Sequence, residues 1–182
     1  MLKPLVFFFA FAITSSTAVS AGTLRPADDR SDTLVVKQLD GQIYYGAAPK
    51  TDADFQRLRQ LGVRRIVDMR TFKAFASSRV RRRAAEHGIH FQRIPMGFFP
   101  AATGNVPAIL TQLTGCGHGA VYFHCNLGLD RAGMIVAIYR VEQFGWDPQH
   151  AFCAWKVQQF NTKLKGLDRY YWQHVGRYSK PR

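Results

Sequence analysis

The stretch Ala120-Val121-Tyr122-Phe123-His124-Cys125-Asn126-Leu127-Gly128-Leu129-Asp130-Arg131-Ala132-Gly133 holds the residues best suited to chemistry. An apolar run that reads as a buried strand ends at His124, a short loop follows, and a helix begins near Arg131. Cys125 thus sits at the carboxyl end of a strand, facing the amino end of the next helix. Helix N-termini present unpaired amides and a partial positive charge, so they attract anions. The same field favours a thiolate over a thiol. Arg131, in a Cys-x5-Arg spacing, can turn its planar fork onto two oxygens of a phosphate. Gly128 lets the loop backbone curl so that successive amides point inward. The spacing alone arises easily by chance, and a buried thiol beside a surface cation is the plainer alternative. The strand, loop and helix around it carry the weight.

The surrounding pattern alternates strand and helix. Strands are expected at Gln42 to Gly46, Val63 to Met69, His90 to Met96 and Gly119 to His124. Thr51-Asp52-Ala53-Asp54 resembles a capped helix start, with Gly62 as its stop. Further helices are expected over Phe72 to His87, Val106 to Thr114 and Arg131 to Phe144, and from Asp147-Pro148 onward. The helix after the loop is apolar over most of its circumference and should be central. In the last helix Leu167, Tyr170, Tyr171, His174, Val175 and Tyr178 share one face, which suits packing better than a membrane or nucleic-acid patch. Alternation of this kind predicts a single α/β domain with a mainly parallel central sheet of four to five strands flanked by helices.

The chain has 182 residues, 47% of them hydrophobic, which suits one compact domain with a true core. Lys3, the apolar run Leu5 to Ile13 and the small residues up to Ala21 follow the order of a secretory signal peptide. The run is short for a membrane span. The expected organisation is a signal peptide over 1–21, a polar lead-in over 22–33 and the domain over 34–182. Export to the periplasm or beyond a bacterial cell follows, with membrane contact only through the leader before cleavage. The formal net charge of +13 favours anionic partners without choosing among them. Cys116, Cys125 and Cys153 make an odd count. Cys116 and Cys153 fall towards the opposite end of the sheet from Cys125, which leaves a Cys116–Cys153 disulfide open.

The loop resembles the His-Cys-x5-Arg signature of cysteine-dependent protein tyrosine phosphatases. Ile43-Tyr44-Tyr45-Gly46-Ala47-Ala48-Pro49, Leu61-Gly62-Val63 and Val67-Asp68-Met69-Arg70 are similar to stretches of the bacterial exported dual-specificity-like branch, and the resemblance runs from about Tyr44 to Ala154. It implies a hydrolase that needs neither metal nor cofactor. Cys125 attacks phosphorus to form a phosphocysteine, which water then hydrolyses. Loop amides from Asn126 to Arg131, with the Arg131 side chain, stabilise the equatorial oxygens. His124 either braces the loop and helps keep Cys125 ionised, or is a histidine packed beneath it.

Two positions depart from the family pattern. Ala132 stands where the family usually has Ser or Thr after the Arg. The segment Pro95 to Asn105, where the family supplies a general-acid Asp, contains no carboxylate. Asp130 is the best substitute acid, similar in place to the acid of myotubularin-like phosphatases, or it is a loop scaffold; Asp68 is a weaker candidate. The loop interior carries no cation, which favours a phosphorylated protein or a small phosphomonoester over polyphosphorylated inositol lipids. Arg79, Arg81, Arg82 and Arg83 either draw acidic substrates or form a solvated helix face. The alternatives are an attenuated phosphate-binding pseudophosphatase, a rhodanese-like sulfurtransferase and, from charge alone, a nucleic-acid binder. Export argues against the last, and no nucleic-acid partner is expected.

Overall fold

The computed structural model describes residues 33–71, 74–99, 104–115 and 119–176. The expected leader, all of the lead-in but Thr33, and also Cys116 and Tyr178, lie outside the described residues. Five strands and six helices follow in the order β1 (Val36–Asp40), β2 (Ile43–Gly46), α1 (Asp52–Gln60), β3 (Val63–Asp68), α2 (Ala74–Glu86), β4 (His90–Arg93), α3 (Val106–Thr114), β5 (Ala120–His124), α4 (Asp130–Phe144), α5 (Pro148–Gln158) and α6 (Lys165–Val175). The sheet order is β1-β2-β5-β3-β4. β2, β5, β3 and β4 run parallel, and β1 joins β2 antiparallel through a turn in which Gly41 takes a positive φ of 41°.

β5 is the central strand and is buried along its whole length. Its residues alternate between two apolar layers, as a period of two requires. Val121 and Phe123 face the layer that holds Ile135, Ile138 and Tyr171, while Ala120 and Tyr122 face Phe55, Leu58 and Val80. Register brings Gly46 and Asp68 to either side of His124. The carboxyl ends of three parallel strands therefore converge at the residue before Cys125, which is where an open α/β sheet places its ligands.

The helices start and stop where local chemistry asks. Thr51 and Asp54 form a full capping box on α1. Asp147 caps α5 by accepting from the His150 amide at 2.8 Å. α4 buries nine of its residues, including Met134, Ile135, Ile138 and Tyr139, and is the central helix. On α6, Leu167, Tyr171 and Val175 are buried in the core, and His174 reaches Glu142 of α4 at 2.8 Å. That face is a packing surface. Cys153 lies on the exposed side of α5 as a free thiol, and Cys116, the other half of the open pairing, lies outside the described residues.

Tyr122 ties the two layers to the site, because its hydroxyl donates to the Ala47 carbonyl at 2.6 Å and its ring stacks near His124. Tyr122→Phe leaves the part-buried Ala47 carbonyl without this donor. It should lower unfolding free energy by about 1–2 kcal/mol in a denaturant titration, without changing the m-value.

Candidate active site

The loop from Cys125 to Leu129 joins the central strand to the central helix, and backbone sterics dictate its path. Gly128 adopts a φ of +76°, and a Cβ there would run into the Gly46 carbonyl group and come within 2.7 Å of the Ala47 nitrogen. Only glycine satisfies both conditions. The Ala48 amide donates to the Asn126 carbonyl at 3.1 Å, pinning the loop to the segment after β2. Curled in this way, the Gly128 amide donates to Cys125 Sγ at 3.3 Å. The thiol is buried, and it lines a cleft of about 340 Å³ together with Arg70, Phe98, Asp130 and Arg131.

Arg131 is also buried and is held by its outer nitrogen. Nη1 donates to the carbonyls of Met69 at 3.3 Å and Met96 at 3.1 Å, and the guanidinium lies 4.5 Å from the centre of the Phe98 ring. Its Nε is buried with no hydrogen-bond partner among the described residues. Burial disfavours the guanidinium's charge and lowers its pKa, while a charge on Cys125 works in the other direction. A buried donor without a partner costs about 1–3 kcal/mol. Arg131 is thus a preset fork beside the thiol.

His124 is fully buried one residue before the nucleophile candidate. Its Nδ1 lies 2.9 Å from the Cys125 carbonyl, which only accepts, so Nδ1 carries the proton. Nε2 has no partner. Burial lowers its pKa to about 4 despite Asp68 nearby. The ring is therefore a neutral brace, and the expectation that it helps ionise Cys125 finds no positive charge on it at neutral pH.

The two carboxylates differ. Asp68 is wholly buried and takes a bidentate pair from Arg70, with Nε to Oδ1 at 2.9 Å and Nη2 to Oδ2 at 2.6 Å, plus Ser77 Oγ at 2.7 Å. Burial alone would raise its pKa, but Arg70 and Ser77 hold it below the ordinary carboxylate value. An acid kept ionised and enclosed is no proton donor, so Asp68 positions Arg70. Asp130 opens α4 and lines the cleft. Its Oδ1 accepts from the Asn161 amide at 3.0 Å and its carbonyl accepts from Trp155 Nε1 at 2.9 Å, so it also anchors the segment after α5. Ala132, with no hydroxyl to offer, is completely buried.

The loop residues Asn126 and Leu127 line the cleft with Cys125, Asp130 and Arg131, while Gly128 and Leu129 are not part of its lining. Sequence reasoning missed Arg70, Phe98 and the wall formed by Phe160, Asn161 and Leu164. Arg70 had a signal in its place two residues after a strand-ending Asp. Phe98 and the three wall residues gave none, because segments distant in sequence meet at the site only through packing. Of the basic run, Arg81 lies over Phe91 and Arg82 sits 3.8 Å from Glu86, while Arg79 and Arg83 face the site's edge.

The depressed pKa of His124 makes a stability prediction. The unfolded chain binds this proton at about 6.5 and the folded one at about 4, so the contribution is complete above 6.5 and is lost as pH falls towards 4. The loss should approach an order of 3 kcal/mol. Denaturant midpoints at about pH 7 and about pH 4.5 should differ by much less in His124→Gln than in the parent chain.

Comparison with known proteins agrees with this geometry. The family described as PTP-NADK, a DSP-PTPase phosphatase fused to NAD+ kinase, matches residues 14–167, well over half of the chain. No curated protein matches. Among solved structures, TpbA of P. aeruginosa is 22% identical, with a TM-score of 0.60 over 75% of this chain and 82% of its own. A Cys-to-Ser form of TpbA in complex with pTyr is 19% identical, with a TM-score of 0.54 over 75% and 89%. A DUF442 protein of Shewanella putrefaciens is 16% identical, with a TM-score of 0.64 over 80% and 91%. The catalytic core of the PP-IP phosphatase SIW14 from S. cerevisiae is 17% identical, with a TM-score of 0.58 over 78% and 88%. These likenesses establish a shared fold, and the family match places the chain itself: it belongs to the DSP-PTPase phosphatases, the cysteine-based tyrosine and dual-specificity hydrolases.

Proposed function

We propose that the chain is an exported phosphatase that hydrolyses phosphotyrosine-type monoesters through a phosphocysteine on Cys125. The observation that carries this reading is that Cys125 and the buried Arg131, whose Nε has no partner among the described residues, line one cleft. A phosphate seated there takes its hydrogen bonds from the Arg131 fork and the loop amides, and the thiolate attacks phosphorus opposite the leaving oxygen. The P–S bond forms as the P–O bond breaks, and the leaving oxygen needs a proton. Water then attacks phosphorus and the thiolate departs. The apolar wall of Phe98, Phe160 and Leu164 suits an aryl ester, and the pTyr complex of TpbA supports the same class. Export rests on the leader pattern of residues 1–21.

Reduced protein beginning at Gly22 should release phosphate from a phosphotyrosine peptide and from p-nitrophenyl phosphate. Cys125→Ser should abolish release, and Arg131→Lys, which keeps the charge and loses the fork, should lower kcat/KM by about 10²–10³. Release that survives Cys125→Ser would reject the mechanism.

Asp130 is the one carboxylate lining the cleft among the described residues, and we assign it the leaving-group proton. Asp130→Asn keeps an acceptor for the Asn161 amide and removes the acid. It should cost about 10²–10⁴ in kcat on an alkyl phosphate and far less on p-nitrophenyl phosphate, whose leaving group needs no proton. A small, equal loss on both would make Asp130 an anchor only. The second reading, an attenuated phosphate-binding pseudophosphatase, would then gain ground. Its support is the buried Ala132 and the engagement of Asp130 Oδ1, and its mark is a burst of product followed by stalled turnover.

A further inference from the structure

A second cleft, of about 460 Å³, opens on the far side of Arg70, Asn126 and Leu127, which it shares with the Cys125 cleft as a common wall. Its lining holds four cations, Lys50, Arg70, Arg79 and Arg83, and among the described residues no carboxylate side chain. They arrive from three elements. Lys50 precedes α1 and its amide is fixed by Asp54 Oδ2 at 2.7 Å. Arg70 follows β3, oriented from behind by Asp68. Arg79 and Arg83 lie four residues apart on α2 and so share one face, and Arg83 is steadied by Asp52 at 3.2 Å. A solvated helix face would gather its cations on one helix. Here three separate segments bring them to one concavity beside the thiol.

We infer that this cleft is a second anion subsite, and that the preferred substrates carry another anionic group, a phosphate or a carboxylate, close to the scissile monoester. The inference rests on the phosphatase reading and deepens it. No cation lies within Asn126 to Asp130, so recognition of a second charge falls to residues outside the loop. Arg70 stands at the junction: it lines both clefts, and its guanidinium is held in place by the buried Asp68 carboxylate. A substrate with two anions separated by the width of this wall spans both clefts.

The test is equilibrium binding to Cys125→Ser protein by calorimetry at fixed ionic strength, since exposed charges are screened by salt. The ligands are alkanediol bisphosphates of increasing chain length against the matching monophosphates, and phosphotyrosine peptides with glutamate or alanine neighbours. A bisphosphate of the right span, or the glutamate peptide, should bind about tenfold tighter than its singly charged partner, roughly the worth of one charge-assisted hydrogen bond. Which of the two gains more assigns phosphate or carboxylate as the second group. The advantage should disappear in Lys50→Ala and Arg79→Ala and persist in Arg81→Ala. Equal binding of singly and doubly charged ligands, or an advantage untouched by both substitutions, overturns the subsite alone. Binding of neither monophosphate nor bisphosphate by folded protein overturns the phosphatase reading and the subsite with it.

Discussion

Everything at the site depends on how closely the Cys125 loop can approach the segment that follows β2. Gly128 is pressed against the Gly46 carbonyl group with a positive φ, and the Asn126 carbonyl is tied to the Ala48 amide. This contact forces the loop into a curl small enough for the Gly128 amide to reach Sγ. Without it, α4 would begin elsewhere and Arg131 would lose its seat on the Met69 and Met96 carbonyls. A side chain at position 128 would therefore disturb the thiol, the cradle and the guanidinium together.

Beneath the loop, a buried polar set holds the geometry at a cost in stability. His124 is neutral and partnered on one nitrogen only, and Asp68 is ionised because Arg70 and Ser77 surround it. Such groups contribute little net stability, since removing charges from water costs about what their pairing returns. What they provide is a single orientation for Arg70 and for the Cys125 carbonyl. The molecule spends burial on placing cations and amides before any substrate arrives, as electrostatic catalysis requires.

Much of this was legible in the chain because it follows from short-range rules. The strand before Cys125, the Gly128 curl, the Thr51 capping box and the apolar circumference of α4 are each encoded within a few residues. β1 was missed: its residues are mostly half-buried, and the Gly41-Gln42 turn after Asp40 is the one local mark of a hairpin. The two readings of His124, a brace that helps keep Cys125 ionised or a histidine packed beneath the loop, turn on a burial that the chain alone does not show. The wall of Phe160, Asn161 and Leu164 depends on contacts between segments distant in sequence. The convergence of Lys50 with Arg79 and Arg83 is likewise invisible until three elements share one edge.

The central claim is that the phosphoryl group passes through Cys125. The most direct test is an acid-quenched single turnover with a ³²P-labelled phosphotyrosine peptide, followed by peptide mapping of the protein. Label recovered on the peptide containing Cys125, appearing before free phosphate and absent from Cys125→Ser, is the predicted result. Free phosphate released at full rate with no label on Cys125 at any quench time, or label on another residue, would contradict the account.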